Sequence, residues 1–129
     1  FVIRTAGAVV VGAALGTIEY GVAVLRAPVL VVLGHSSCGA VSAACEVVTR
    51  NASYPGAVDG LVNALVPSAL AARGQPGDFL DNAMRESVRR NVARLSTTGP
   101  IVSLAVNEGR LRVVGARYDL ASGAVELLT

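Results

Sequence analysis

The sequence contains no lysine, and charged residues of either sign are scarce. They make up 16% of the 129 residues, and the net charge of +2 is carried by arginine alone. The only dense group of basic residues has the spacing of one side of a helix: Arg85, Arg89, Arg90 and Arg94. A solvated helix face explains this group better than a nucleic-acid site does. We therefore expect no nucleic acid among the partners.

The sequence also lacks an apolar run long enough to cross a membrane. Its longest stretch without a formal charge, residues 27–45, contains Pro28, two glycines, three serines and His35. A span needs roughly 20 mostly apolar residues, so this stretch is too polar and too broken. We expect no signal peptide, because the sequence opens directly on an apolar run. The absence of an initial methionine leads us to expect a fragment or a processed product.

Cysteine is rare, because Cys38 and Cys45 are the only two. On one helix, the seven positions between them correspond to about 10 Å of rise. That exceeds the ~7 Å between Cα atoms that a disulfide tolerates. Free thiols are typical of a reducing compartment, so we predict a cytoplasmic protein without disulfides.

Apolar residues, in contrast, are abundant and make up 53% of the chain. A chain of this length can bury the core of a single domain, which we predict over residues 1–129. The apolar content is high for a monomer, and it indicates that some apolar surface is buried against a partner.

Patterns typical of strands alternate with patterns typical of helices along the chain. Strands are predicted at residues 1–5, 29–33, 111–118 and 124–128. Helices are predicted at residues 13–25, 40–48, 61–72, 79–95 (with Asp78 as its cap) and 100–106. This order predicts an α/β fold, with a mainly parallel sheet flanked by helices. The last two strands are expected to form an antiparallel hairpin around the turn at residues 121–123.

The segment most informative about function follows the strand at residues 29–33. Residues 34–39 read Gly-His-Ser-Ser-Cys-Gly and form a loop at the carboxyl end of that strand, where open α/β sheets bind ligands. Histidine and cysteine are preferred zinc ligands, and the start of the following helix suits an anionic sulfur at Cys38. On spacing alone, three interpretations of His35 and Cys38 stay open: a metal site, a structural pair, or a nucleophile pair.

Four segments, in family order, resemble the β-class carbonic anhydrases of bacterial type. Residues 34–41 resemble the second metal-binding motif of that family. Residues 2–7 resemble its Arg-Asn-Ala-Gly strand, with Thr5 where asparagine is usual, and residues 16–22 resemble its Ser-(Leu/Ile)-Glu-Tyr-Ala helix. Residues 113–120, with the Ser-Gly pair at 122–123, resemble its closing hairpin. The resemblance implies the fold of this family over nearly the whole chain.

The same resemblance implies a zinc enzyme that reversibly hydrates carbon dioxide to bicarbonate. In that family one histidine and two cysteines hold the zinc, and His35 and Cys38 match two of these ligands. Arg4 matches a position that helps to bind bicarbonate in some members. The alternative interpretation, which we favour on the residue alone, is a structural arginine that pairs with carbonyls or a carboxylate. The family also forms dimers and larger assemblies, which implies a homodimer or a higher homo-oligomer here.

One motif of the family, Cys-x-(Asp/Ser)-x-Arg, is absent from the sequence. In the family it supplies the third zinc ligand and the aspartate-arginine pair that orients the nucleophile, on a strand upstream of the position matched by Phe1. We therefore expect an N-terminally truncated domain whose sheet lacks that strand and whose catalytic residues are unknown. Cys45, two helical turns beyond Cys38, is expected to be a core residue and not a substitute ligand.

Two alternatives to the enzymatic interpretation follow. The first is a catalytically impaired homologue that acts as a bicarbonate-binding, regulatory or structural domain. The second is a relative that acts on another small molecule, such as carbon disulfide or a cyanate-derived carbamate.

Overall fold

The computed structural model describes residues 1–128, in which helices and strands alternate as the sequence predicts. The helices are α1 (Ala13–Ala23), α2 (Gly39–Arg50), α3 (Ala57–Asn63), α4 (Val66–Ala72), α5 (Phe79–Thr97) and α6 (Pro100–Asn107), with a short 3₁₀ helix at Ala6–Ala8. The strands are β1 (Val29–His35), β2 (Arg112–Tyr118) and β3 (Val125–Leu128). Within these residues, no helix has both the length and the apolar character that a membrane span requires.

The three strands form one small mixed sheet in the order β1, β2, β3. β1 and β2 are parallel, and their pairing runs from Val29 opposite Arg112 to His35 opposite Tyr118. β2 and β3 are antiparallel, which confirms the predicted hairpin. At the turn between them, the carboxylate of Asp119 accepts backbone hydrogen bonds from Ala121 and Ser122. The α/β fold is therefore confirmed, with one parallel and one antiparallel pair of strands.

Helix α5 packs against one face of this sheet, and two glycines allow the close approach. A Cβ atom at Gly34 would lie 2.5 Å from the sulfur of Met84, and one at Gly115 would lie 2.8 Å from Cγ1 of Val88. At its start the helix is capped as predicted, because the carboxylate of Asp78 accepts a 2.7 Å hydrogen bond from the backbone N–H of Asp81. The long helix thereby reaches from the carboxyl end of β1 across the whole sheet.

The buried apolar side chains form one core beneath α5. Its largest fully buried members are Val62 of α3, Leu95 of α5 and Val102 of α6. Cys45 also lies in this core and is 8% exposed. Both cysteines are free thiols, which confirms that they do not pair with each other.

The predicted strand at residues 1–5 is wrong, because this segment has no regular secondary structure. A strand is stable only when its backbone groups pair with a neighbour, and in the described part of the chain β1 has β2 as its single neighbour. Phe1 instead packs on α1. Its ring centroid lies 6.4 Å from that of Tyr20, and a Cβ at Gly21 would lie 3.1 Å from the Phe1 ring.

The single helix predicted at residues 61–72 is also wrong, since two short helices, α3 and α4, occupy this region. Pro67 lies in the first turn of α4. Proline has no backbone N–H and therefore cannot continue the hydrogen-bond ladder of a preceding helix. The chain consequently ends α3 at Asn63 and starts a new helix, whose first turn tolerates the proline.

The second face of the sheet is apolar and exposed. Alternate residues of β1, Val29, Val31 and Leu33, are 49%, 50% and 49% exposed. On β3, Val125 and Leu127 are 60% and 67% exposed. These five residues, which we call the open sheet face, lie opposite the face that packs on α5. β1 also has one edge without a hydrogen-bonded neighbour within residues 1–128.

Candidate functional site

His35 is the last residue of β1 and lies at the carboxyl edge of the parallel strands, where it was predicted. Its Nδ1 atom lies 2.9 Å from the backbone oxygen of Ser36. A carbonyl oxygen can only accept a hydrogen bond, so Nδ1 carries the proton. In the neutral imidazole, this leaves the lone pair of Nε2 available to a metal, which is the arrangement that outer hydrogen bonds impose on histidine ligands.

The turn after His35 is held to the end of β2 by two hydrogen bonds. The backbone N–H of Ser36 donates to the carbonyl of Tyr118 at 2.9 Å. The Ser36 hydroxyl accepts from the backbone N–H of Leu120, also at 2.9 Å. Ser37 then adopts a left-handed conformation with φ of 56°, which reverses the chain toward α2. These contacts fix the path of the turn that carries both predicted ligands.

Cys38 is the residue that immediately precedes α2. It is 6% exposed, and its carbonyl accepts the first helical hydrogen bond from Ser42 at 2.9 Å. The thiol thus lies at the positive end of the helix dipole, as the sequence predicts. His35 and Cys38 are brought to the same turn, and both carry donor atoms that zinc prefers.

A cavity of about 450 Å³ opens beside this turn. Its polar wall is formed by His35, Ser36, Ser37, Asp78, Asp81 and Arg117, and Cys38 is not part of the lining. The turn supplies one side of the cavity, and the start of α5 together with the end of β2 supplies the other. The cavity therefore places charged side chains of α5 and β2 next to the predicted zinc ligand.

Asp81 is the centre of the charged group in this wall. Its carboxylate oxygens lie 2.6 Å from Nε of Arg85 and 2.6 Å from Nε of Arg117. Arg85 in turn donates two hydrogen bonds, of 2.8 and 2.7 Å, to the carboxylate of Glu126 on β3. The ion pairs thereby tie the start of α5 to the β2–β3 hairpin.

These ion pairs change the pKa values of Asp81 and Arg85. Partial burial favours a higher pKa for Asp81, but the hydrogen bonds from Arg85 and Arg117 outweigh burial and lower the pKa of the carboxyl. Hydrogen bonds to Glu126 and then to Asp81 raise the pKa of Arg85. Both groups therefore stay charged across the neutral range.

The described residues offer two candidate zinc ligands and not a complete set. Within residues 1–128, no group of three or more histidine, cysteine or acidic side chains is placed to hold one metal ion. Burial, followed by the nearby charge of Asp78, raises the pKa of the Cys45 thiol, which opposes the deprotonation that ligation requires. Protein zinc sites normally use at least three protein ligands. His35 and Cys38 thus fit part of a zinc site.

Arg4, the predicted bicarbonate contact, lies apart from this cavity. It is exposed in the irregular segment at residues 1–5, and it does not line the cavity beside the turn.

Sequence reasoning missed the charged group around Asp81. Its members are far apart in the chain, and each has an ordinary explanation as a surface residue of its own element. The one available signal is that Asp81 and Arg85 are four residues apart on a predicted helix, a spacing that favours an ion pair. The partners on β2 and β3 follow only from the tertiary structure.

The model of the carbonic anhydrase family matches residues 1–125 of this chain. The fold matches solved β-class members: the chain superposes on the β-carbonic anhydrase CcaA with a TM-score of 0.83, at 23% identity, over 98% of this chain and 66% of that one. This chain belongs to the β-carbonic anhydrase family. The β-carbonic anhydrase of Coccomyxa, solved in complex with acetazolamide, is similar as well, with a TM-score of 0.82 and 25% identity over 99% of this chain and 60% of that one.

Curated bacterial carbonic anhydrases are more similar in sequence. The carbonic anhydrase of Mycolicibacterium smegmatis is 39% identical over 127 residues, which cover 98% of this chain and 62% of the relative. Carbonic anhydrase 2 of Mycobacterium tuberculosis is also 39% identical, over 98% of this chain and 61% of its own length. The chain thus spans about three fifths of the length of these relatives.

Proposed function

We propose that this chain forms the main part of a zinc-dependent carbonic anhydrase, which reversibly converts carbon dioxide and water to bicarbonate. The observation that carries the proposal is the placement of His35 and Cys38 on one turn at the carboxyl end of β1, in a chain of the carbonic anhydrase family. When bound, zinc would supply an activated water to the reaction. The role of this chain is to hold two of the ligands and to shape the cavity beside them.

The contacts around the turn support this role. The hydrogen bond from Nδ1 of His35 to the backbone oxygen of Ser36 orients the ring with Nε2 free. The two hydrogen bonds of Ser36 to the end of β2 keep the turn rigid. The Asp81–Arg117 ion pair, at 2.6 Å, fixes the opposite wall. A complete zinc site needs a third ligand in addition to these residues, from a further segment or from another subunit.

We further propose that the protein acts in the cytoplasm as a homodimer or a larger homo-oligomer, and that Arg4 contacts bicarbonate. The two free cysteines support a reducing compartment. The open sheet face supports self-association, and one related structure is described as a tetrameric β-carbonic anhydrase. For Arg4, the support is its exposed guanidinium in a segment near α1.

Zinc content and carbon dioxide hydration test the main proposal. With two ligands per chain, we expect the 129-residue protein to bind zinc below one equivalent and to hydrate carbon dioxide near the background rate. Adding the upstream Cys-x-Asp-x-Arg segment of a carbonic anhydrase relative should raise both values. Zinc is measured by elemental analysis and hydration by stopped flow. A bicarbonate titration of Arg4→Gln in the extended protein tests the role of Arg4.

Two cysteine variants distinguish the loss of a zinc ligand from a general destabilisation of the fold. In the extended protein, Cys38→Ser should remove the bound zinc and the activity, whereas Cys45→Ser, also at a buried position, should leave both unchanged. Zinc and activity that survive Cys38→Ser would contradict the proposed ligand. An extended protein that binds zinc through Cys38 but does not hydrate carbon dioxide would contradict the proposed reaction.

A further inference from the structure

A second cavity, of about 370 Å³, lies far along α5 from the predicted zinc ligands. It is bounded by α4, by the second half of α5 and by the segment at residues 9–11 that leads into α1. Its volume falls within the range of small-molecule sites, which is about 300–1,000 Å³. Neither the family resemblance nor the proposed reaction accounts for this cavity.

The segment that closes the cavity is held in place by two side chains of α5. Arg94 donates through Nη2 to the backbone oxygen of Val10. Asn91 donates through Nδ2 to the backbone oxygen of Ala8 at 3.3 Å. The fold therefore maintains this cavity, because specific hydrogen bonds attach the segment at residues 8–10 to α5.

Two serine hydroxyls reach the cavity without a protein partner. Ser68 and Ser87 are 4% and 5% exposed, and both line the cavity. Within residues 1–128 neither hydroxyl makes a protein hydrogen bond, and no oxygen or nitrogen that is sealed from solvent lacks a partner. Both hydroxyls are therefore open to the cavity and free to donate to a ligand.

The charge of the lining favours an anion. Two arginines line the cavity and no acidic residue does. Arg90 is already paired, since its Nε atom lies 3.1 Å from the carboxylate of Glu86. Arg94 has no acidic partner in the described part of the chain, and its single hydrogen bond, to Val10, uses one of its five N–H donors. One positive charge and two hydroxyl donors thus face the same space.

Apart from Asn91, whose amide donates to the backbone oxygen of Ala8, the remaining lining is apolar. It includes Val9, Val11, Leu65 and Pro67. A fully hydrated inorganic anion gains nothing from such a wall, whereas an organic anion buries its hydrocarbon part there. The combination of one guanidinium, two hydroxyls and an apolar wall is the chemistry that recognises a carboxylate with a short hydrocarbon chain.

We propose that the cavity between α4, α5 and residues 9–11 binds a small monocarboxylate, with its carboxylate at Arg94, Ser68 and Ser87 and its hydrocarbon chain against the apolar wall. This site is separate from the turn that carries His35 and Cys38. Its occupation does not require zinc or the hydration reaction.

Chemical-shift titrations of the isotope-labelled 129-residue protein test this site, with acetate, butyrate and inorganic phosphate as probes at constant ionic strength. Butyrate should shift the backbone amides of Val10, Val11 and Ser87. Two added methylenes, at about 0.8 kcal/mol each, should make butyrate bind about tenfold tighter than acetate. Phosphate should bind more weakly than butyrate.

Two variants on one helix locate the charge that binds the anion. Arg94→Gln should weaken butyrate binding at least about tenfold, because a charged hydrogen-bond donor is lost. Arg89→Gln, on the same helix but outside the lining, should have no effect. Ser87→Ala, which leaves the contact to Val10 intact, should weaken binding about threefold or more.

Three results would overturn the proposal. They are the absence of any localised shift with butyrate, equal responses of the Arg94→Gln and Arg89→Gln proteins, and phosphate binding as tight as butyrate binding. None of these measurements depends on zinc or on hydratase activity, so a failure here leaves the proposed reaction untouched, and the reverse also holds.

Discussion

Asp81 connects three elements through a single carboxylate. It pairs with Arg85 on its own helix and with Arg117 on β2, and Arg85 continues the contact to Glu126 on β3. The Asp81 carboxylate is 26% exposed, and the side chains of Arg85 and Arg117 are 22% and 19% exposed. These ion pairs are screened less than pairs on an open surface, so we expect them to contribute to stability.

Asp81→Asn should therefore destabilise the fold by about 1–3 kcal/mol, because two arginines lose a charged acceptor. Urea unfolding monitored by circular dichroism measures the change. Asp59→Asn is the matched control, since the carboxylate of Asp59 accepts a hydrogen bond from Asn63 and has no arginine partner among residues 1–128. An Asp81→Asn protein as stable as the control would show that the ion pairs contribute nothing.

The same residue makes stability depend on pH. Because folding lowers the pKa of Asp81, its contribution is present above the unfolded value of about 3.9 and is lost as the pH falls through the lower folded value. The difference in unfolding free energy between wild type and Asp81→Asn should thus shrink below about pH 4. A difference that stays constant from neutral pH to about pH 2 would contradict the lowered pKa.

Helix α5 is the element that organises the rest of the fold. It covers one face of the sheet, carries the capping residue beside the cavity at His35, and reaches residues 8–10 near its other end. Its approach to the sheet depends on Gly34 and Gly115, which leave room for Met84 and Val88. Small residues at these two positions are therefore a requirement of packing and not of turn formation.

Gly115→Ala should destabilise the protein by about 1–3 kcal/mol through overpacking. The added Cβ would lie 2.8 Å from Val88 and 3.2 Å from the backbone oxygen of Leu128, and neither can move without disturbing the sheet. Gly16→Ala is the opposite case, because nothing lies within 4 Å of its Cβ position in α1. This control should stabilise the protein by about 0.5–1 kcal/mol. Both changes are measured by urea unfolding, and equal effects would contradict the packing argument.

At the scale of the whole molecule, the dominant feature is the open sheet face. Its five residues form an apolar surface on β1 and β3, and the adjoining edge of β1 has no strand partner within residues 1–128. Apolar surface of this kind is costly to leave in water and is typical of an interface. Part of the high apolar content of the sequence thus lies on this face.

We expect light scattering to show a dimer or a larger assembly at micromolar concentration. Leu127→Glu, which places a charge on the open sheet face, should shift the protein toward the monomer. Leu70→Glu is the control, since Leu70 is 54% exposed on α4 and lies outside that face. A wild-type protein that is monomeric at these concentrations, or two variants that dissociate equally, would contradict the proposed interface.

The sequence by itself determined the local features of this protein. The β-branched run before His35 specified a strand, although one face of it is exposed in the structure. Asp78 specified a helix start, and the spacing of His35 and Cys38 specified a turn between strand and helix. Each of these depends on interactions within a few residues, which a single segment contains. The ordered family motifs then gave the α/β fold and the family, both of which the structure and the comparisons confirm.

Only the tertiary structure decided the features that depend on partners. Residues 1–5 have a strand-like composition but no strand, because this segment does not lie against the edge of another strand within residues 1–128. Asp81 and Glu126 meet through Arg85 only after the hairpin packs on α5. The second cavity likewise brings together residues from α4, from α5 and from the segment at residues 9–11. Such contacts join segments that are far apart in the chain, and local sequence patterns do not predict them.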